Sequence, residues 1–173
     1  LNAHYLENAQ GSPEPTSGLV ETTDAEVHKV IELIYNHAQR RPKESLMVIT
    51  ASMRHAHRIE VALDEAAARR SDLATWLGRE TGEPFTVLTL DQASAESRDR
   101  VIFSLGYGRT PHGRLLSEFG SLSRYGGDRL LAVVLTRARR SIDLVTCFRP
   151  DEIDPARLEY GALALHEILA GTE

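Results

Sequence analysis

The sequence predicts an α/β domain whose mostly parallel sheet is covered by helices on both faces. Two observations predict it: short apolar runs that lack polar alternation, and stretches of helical periodicity between them. A strand buried on both faces reads as continuous apolar sequence, whereas a strand with one wet face alternates. The intervening helices supply the crossovers that parallel neighbours require.

The elements follow in order. His4 to Leu6 is a short apolar piece, and the Gly-, Pro- and Ser-rich stretch from Asn8 to Gly18 favours a loop. Thr23 with Glu26 three residues later has the spacing of a capping box, in which each side chain satisfies an amide at a helix start. Val27, Val30, Ile31, Ile34 and Ala38 then recur at helical spacing until Pro42. Ser45 to Thr50 (SLMVIT) reads as a buried strand. Ala56, Ile59, Ala62, Leu63 and Ala66 mark a second helix, with Arg69 and Arg70 suited to its negative end. Leu73, Trp76 and Leu77 form a further helical stripe, which makes Trp76 a packing residue.

Phe85 to Leu90 and Arg100 to Leu105 are strands, separated by a loop from Asp91 to Asp99. Leu130 to Leu135 fits a buried strand by apolarity and equally a helix by the stripe Leu131, Val134, Leu135 and Ala138. Ile142 to Cys147 is the last strand. Asp154 as N-cap and Pro155 at the first position open a final helix carrying Leu158, Leu163, Leu165, Ile168 and Leu169 and ending at Gly171.

A chain of 173 residues suits a single core, so residues 1–173 read as one domain. Its start at Leu1 rather than Met points to a piece of a longer protein, and the absence of a secretory signal points to a cytoplasmic parent. The longest apolar run, Leu130 to Leu135, is far short of the roughly 20 residues a bilayer crossing needs, so no membrane partner is expected. The lone cysteine, Cys147, excludes an internal disulfide and a multi-cysteine metal site and is expected to be a buried, inert thiol. The net charge of -5 conceals an asymmetry. Arg98 to Arg140 holds nine arginines against only Asp99, Glu118 and Asp128, so this stretch is suited either to face phosphates or to be solvated and paired with the acidic remainder of the chain.

The chain contains no GxxxxGK[ST] phosphate loop, GxGxxG, HExxH or GxSxG. His55 and His57 are two apart and diverge on a helix, so no metal site is expected.

Three segments in a fixed order resemble the C-terminal motor domain of superfamily 1 helicases. Ser45 to Leu63 (SLMVITASMRHAHRIEVAL) resembles motif IV, with His55 where many relatives carry glutamine. Ser94 to Arg114 (SAESRDRVIFSLGYGRTPHGR) resembles motif V, often written QGDERDVVIFSLGY. Gly126 to Cys147 (GGDRLLAVVLTRARRSIDLVTC) resembles motif VI, in which a GERRLNVALTRAR stretch precedes the final strand. Phe103 to Arg114 and Phe119 to Leu131 are closest to a bacterial branch whose proteins often end in a nuclease-like domain.

The resemblance implies a RecA-like P-loop NTPase fold without its own Walker A loop, and it makes Leu130 to Leu135 a helix. It implies half of an ATP site: a first RecA-like domain of the same parent chain holds ATP phosphates and Mg2+, and this domain closes on them. By motif position Arg137 is the arginine finger, with Thr136, Ser94, Ala95 and Ser97 beside the nucleotide. Thr50, Ser52, His55, Arg109 and Arg114 are the candidate contacts to single-stranded DNA or RNA. Ser94, Ala95, Ser97 and Ala132 depart from the glutamine, glycine, glutamate and asparagine of the pattern. The alternative is therefore a catalytically degenerate domain kept for nucleic-acid binding or as a scaffold. Arg139 and Arg140 are expected to complement the negative end of the motif VI helix, and Arg98 to pair with carboxylates.

Overall fold

The computed structural model describes residues 1–7, 9, 11, 15, 18–20 and 22–172. The Gly- and Pro-rich stretch after Leu6 falls largely outside them. Five strands, β1 (Asn2–Tyr5), β2 (Leu46–Thr50), β3 (Thr86–Thr89), β4 (Arg98–Ser104) and β5 (Ala138–Thr146), form one sheet in the order β1-β5-β4-β2-β3. Every pairing is parallel. The continuous apolar runs are explained by burial on both sides: all of Leu46 to Thr50 is buried, with Leu46 and Val48 facing one core and Met47 and Ile49 the other.

One face carries α1 (Asp24–Arg40), α2 (Met53–Arg69) and α3 (Ser71–Leu77). Val30, Ile34, Ile59, Leu63, Leu73 and Trp76 pack there against Val48, Ile102 and Val145. Trp76 is only 7% exposed and donates its indole N–H to the Pro42 carbonyl (3.2 Å), as a packing residue should. The opposite face carries α4 (Gly127–Leu135) and α5 (Tyr160–Ala170), whose Leu131, Val134, Leu165 and Leu169 pack on Val101, Phe103 and Leu144. Residues 130–135 are thus helical.

Three boundaries differ from the sequence expectation. The stretch expected as a loop from Asp91 contains a 3-10 helix, Leu90–Ala95, whose Leu90 and Ala93 are buried, and β4 starts at Arg98. Asp154 caps a three-residue 3-10 turn, Pro155–Arg157, rather than the last helix, which begins only at Tyr160. Arg139 and Arg140 lie within β5 and not at a helix end, so they do not serve the α4 dipole.

The connection from β2 through α2 and that from β4 through α4 leave on opposite faces. The adjacent strands β2 and β4 therefore flank a topological switch point, where a crevice opens at the carboxyl ends of the strands. On the α4–α5 side, a Cβ on Gly161 would lie 2.3 Å from the Gly127 carbonyl oxygen, so the amino ends of these helices touch backbone to backbone. Gly161→Ala should destabilise the domain by about 1–3 kcal/mol, because a backbone neighbour cannot swing away. A urea midpoint that falls at unchanged slope would show this. An unchanged or higher midpoint would contradict the close crossing.

Candidate functional site

The parallel strands divide the candidate residues between two ends of the sheet. Ser94, Ala95, Ser97, Thr136 and Arg137 come together at the amino edge, where β4 and β5 begin. Thr50, Ser52, His55, Arg109 and Arg114 lie toward the carboxyl edge, after β2 and β4. The seven residues of β4 separate the two groups by roughly 20 Å at about 3.3 Å per residue.

At the amino edge, α4 ends at Leu135 and the chain turns through Thr136 and Arg137 into β5. The Arg137 carbonyl accepts from the Arg98 amide (3.1 Å), which fixes this turn against the start of β4. The half-buried Arg137 guanidinium donates to the Ser94 carbonyl (3.0 Å) and to the Thr136 hydroxyl (3.1 Å). Its Nε is buried without a partner. Its neighbours are bound differently. Arg98 pairs with Glu96 (2.8 Å), Arg100 with Glu44, Arg139 with Glu83 and Asp99, and Arg140 with Glu44 (3.6 Å). Arg100 and Arg139 hold the Glu44 and Glu83 carboxyls below their usual range, and the Ser45 amide followed by Arg139 does so for Asp99. Arg137 alone of these five arginines has no carboxylate partner. Ser94, Ala95 and Ser97 are exposed beside it, and the Ser97 hydroxyl accepts weakly from Arg139 (3.3 Å).

At the carboxyl edge three expectations need correction. Thr50 is fully buried, its hydroxyl donating to the Ser52 carbonyl (2.8 Å), and so turns no group toward a ligand. His55 is also fully buried, between Thr22 (2.8 Å) and Ser104 (2.7 Å). Arg109 is spent on Glu152. Ser52 caps α2 by accepting from the His55 amide (3.1 Å), whereas Arg114 is exposed. Sequence reasoning missed Arg54 and Arg58 of α2, which with Thr22, Thr23, Asp24, Gly11 and Pro111 line a cleft of about 460 Å³. Their signal was i, i+4 spacing on the outer face of α2.

Below this cleft lies a buried polar cluster. Thr23 caps α1 as predicted, accepting from the Glu26 amide (3.3 Å), but the Glu26 side chain does not return to Thr23. It turns inward. Oε1 accepts from the Ser104 hydroxyl (2.8 Å) and the Gly106 amide (2.7 Å), and Oε2 from the Cys147 thiol (3.1 Å). Since Ser104 spends its one proton on Glu26, it must accept from Nε2–H of His55, whose Nδ1 then accepts from Thr22. Gly106 completes the seat: its φ is +81°, and a Cβ there would lie 2.6 Å from the His55 ring. Burial raises Glu26 to about 7 and lowers His55 to about 3. It also pushes the Cys147 thiol up, and Glu26 beside it adds to the shift. Among the described residues, no group of His, Cys, Asp and Glu could hold a metal ion, and no helix is long and apolar enough to cross a membrane.

The two buried groups act on stability with opposite signs. Between pH 4.5 and about 7 the folded state holds more protons at Glu26, so that contribution falls as pH rises. Between about 3 and 6.5 it holds fewer at His55, so that contribution rises with pH. They offset between pH 4.5 and 6.5. Glu26→Gln leaves only the His55 term, so its stability relative to the original protein should improve across this window by on the order of 2 kcal/mol. Chemical denaturation at several pH values measures it, and a constant difference would show that Glu26 is not held protonated.

Comparison with known proteins points to one class. No family model matches the chain. It is 31% identical over 114 residues, 64% of its length, to an uncharacterized ATP-dependent helicase of Mycoplasma genitalium, and 30% identical over 106 residues, 59% of its length, to the homolog in Mycoplasma pneumoniae. The matches span only 10% and 9% of those proteins. Among solved structures, the C-terminal domain of a possible DNA helicase from Lactobacillus plantarum WCFS1 aligns with 92% of this chain and 79% of its own, at 16% identity and a TM-score of 0.49.

Proposed function

We propose that this chain, a homologue of a segment of ATP-dependent helicases, works as the second RecA-like motor domain of a superfamily 1 helicase. The observation that carries the reading is the state of Arg137. A cation meant to meet phosphate must not be neutralised beforehand, and at an edge where Arg98, Arg100, Arg139 and Arg140 are paired, Arg137 rests only on neutral oxygens. Its guanidinium can exchange the Ser94 carbonyl and Thr136 hydroxyl for phosphate oxygens without breaking an ion pair. The exposed Ser94, Ser97 and Thr136 supply hydroxyls nearby.

Nucleotide fits this edge only as half of a site. Glu44, Glu83, Glu96 and Asp99 are engaged by arginines, which leaves no free carboxylate among them for Mg2+. Phosphate cradling and magnesium binding therefore fall to the first RecA-like domain of the parent. Arg137 contributes charge stabilisation as the phosphoryl group transfers, an effect worth about 10³ to 10⁵ in rate where arginine fingers have been measured. Single-stranded DNA or RNA would cross the carboxyl edge near Ser52, Arg54 and Arg114, the far end of the sheet from the nucleotide. A second reading, a domain retained for binding or architecture, is favoured by Ser97, which stands where the motif carries glutamate and bonds Arg139 instead.

The isolated chain should hydrolyse no ATP. In the parent protein, Arg137→Lys keeps the charge but loses the planar fork, so nucleotide binding should change little while strand-stimulated hydrolysis falls by at least about 10²-fold. Arg140→Lys is the control and should stay near the original rate. Equal small effects at both positions would remove the finger assignment, and a parent without ATPase activity would favour the architectural reading.

A further inference from the structure

Tyr125 and Tyr160 are the two exposed aromatic rings among the described residues, at 83% and 44% exposure. They come from different elements, just before α4 and at the first residue of α5, yet stand 6.1 Å apart and nearly perpendicular at 84°. The contact of Gly127 with Gly161 brings them together, and Gly126 at φ +88° turns the chain from Tyr125 into α4. Tyr160 itself has φ +50°, a costly conformation for a bulky residue, and burial of its ring offers no compensation. Because α4 runs back from the end of β4 to the start of β5, its amino end and both rings lie at the carboxyl edge of the sheet.

The uncompensated charge of the basic segment lies in the same stretch. Of its nine arginines, five pair with carboxylates and Arg137 rests on neutral oxygens. Among the described residues the remaining three have no ion pair: Arg114 and Arg124 are exposed in the link from β4 to α4, and Arg129 is exposed in the first turn of α4. Arg124 adjoins Tyr125, and Arg157 lies three residues before Tyr160. Asp128 and Glu159 also flank the rings, so net charge alone is a weak attractant, and the free ring faces are the distinctive feature.

We propose that Tyr125 and Tyr160 form a platform on which a base of single-stranded nucleic acid stacks, with Arg124 and Arg129 beside its phosphates. Aromatic stacking accepts any base and adds affinity without adding counterion release. The inference rests on the reading of this chain as a strand-binding motor domain.

The test is fluorescence anisotropy of the 173-residue chain with a labelled oligothymidylate at low and moderate salt, repeated with an abasic strand of equal length. Tyr125→Ala and Tyr160→Ala should each weaken oligothymidylate binding at least about fivefold, with the salt slope unchanged and little effect on the abasic strand. Tyr125→Phe should retain affinity. Tyr125 is too exposed for its loss to unfold the domain, so Tyr125→Ala alone decides if Tyr160→Ala is unstable. Alanine variants that bind the oligonucleotide like the original, or that weaken the abasic strand equally, would overturn the platform while leaving strand binding intact. A chain that binds no oligonucleotide at all would overturn both the platform and the reading beneath it, and would turn the tyrosines toward a protein partner.

Discussion

The rest of the structure depends on the parallel hydrogen-bond ladder. Five strands running the same way put every strand start at one end and every strand finish at the other, so the chemistry sorts itself by edge. The two ends are secured differently. The amino edge is held by surface ion pairs in which Arg139 and Arg140 reach from β5 to carboxylates before β2, β3 and at the start of β4. The carboxyl edge is held by a buried polar cluster. Exposed pairs are individually weak and screened by salt, whereas a buried cluster must be satisfied completely or it destabilises the fold.

Glu26 sits at the centre of that second arrangement. A carboxyl group taken out of water is costly unless its oxygens find donors, and here an amide and a hydroxyl from the end of β4 and a thiol from the end of β5 supply them. The bonds tie α1 to the ends of β4 and β5, and His55 extends the tie to α2. The floor of the Arg54–Arg58 cleft is therefore set by hydrogen-bond geometry as well as by apolar packing.

The sheet and most of its helices were legible because both-face burial leaves continuous apolar runs and α1 and α2 carry clear stripes. Periodicity could not assign Leu130 to Leu135, and only the likeness to motif VI made it helical. The capping-box spacing at Thr23 and Glu26 was half informative: local geometry permits the reciprocal bond, but a long-range set of donors outcompetes it. Long-range pairing also explains Arg139 and Arg140, whose carboxylate partners are about 40 to 100 residues distant in sequence. Candidate residues chosen by motif position clustered well at the amino edge and poorly at the carboxyl edge, since a linear motif does not say which side chains turn inward. Tyr125 and Tyr160 had no shared sequence signal. Their neighbourhood exists only through the close passage of two glycines.

Cys147 gives the buried cluster one further property. It is the single thiol of the chain, fully enclosed, with its proton held by the acid beside it. The thiolate is the nucleophile that attacks a thiol reagent, so reaction must await separation of β5 from α1. Labelling kinetics at this one sulfur thus time the parting of the carboxyl edge, without any introduced probe.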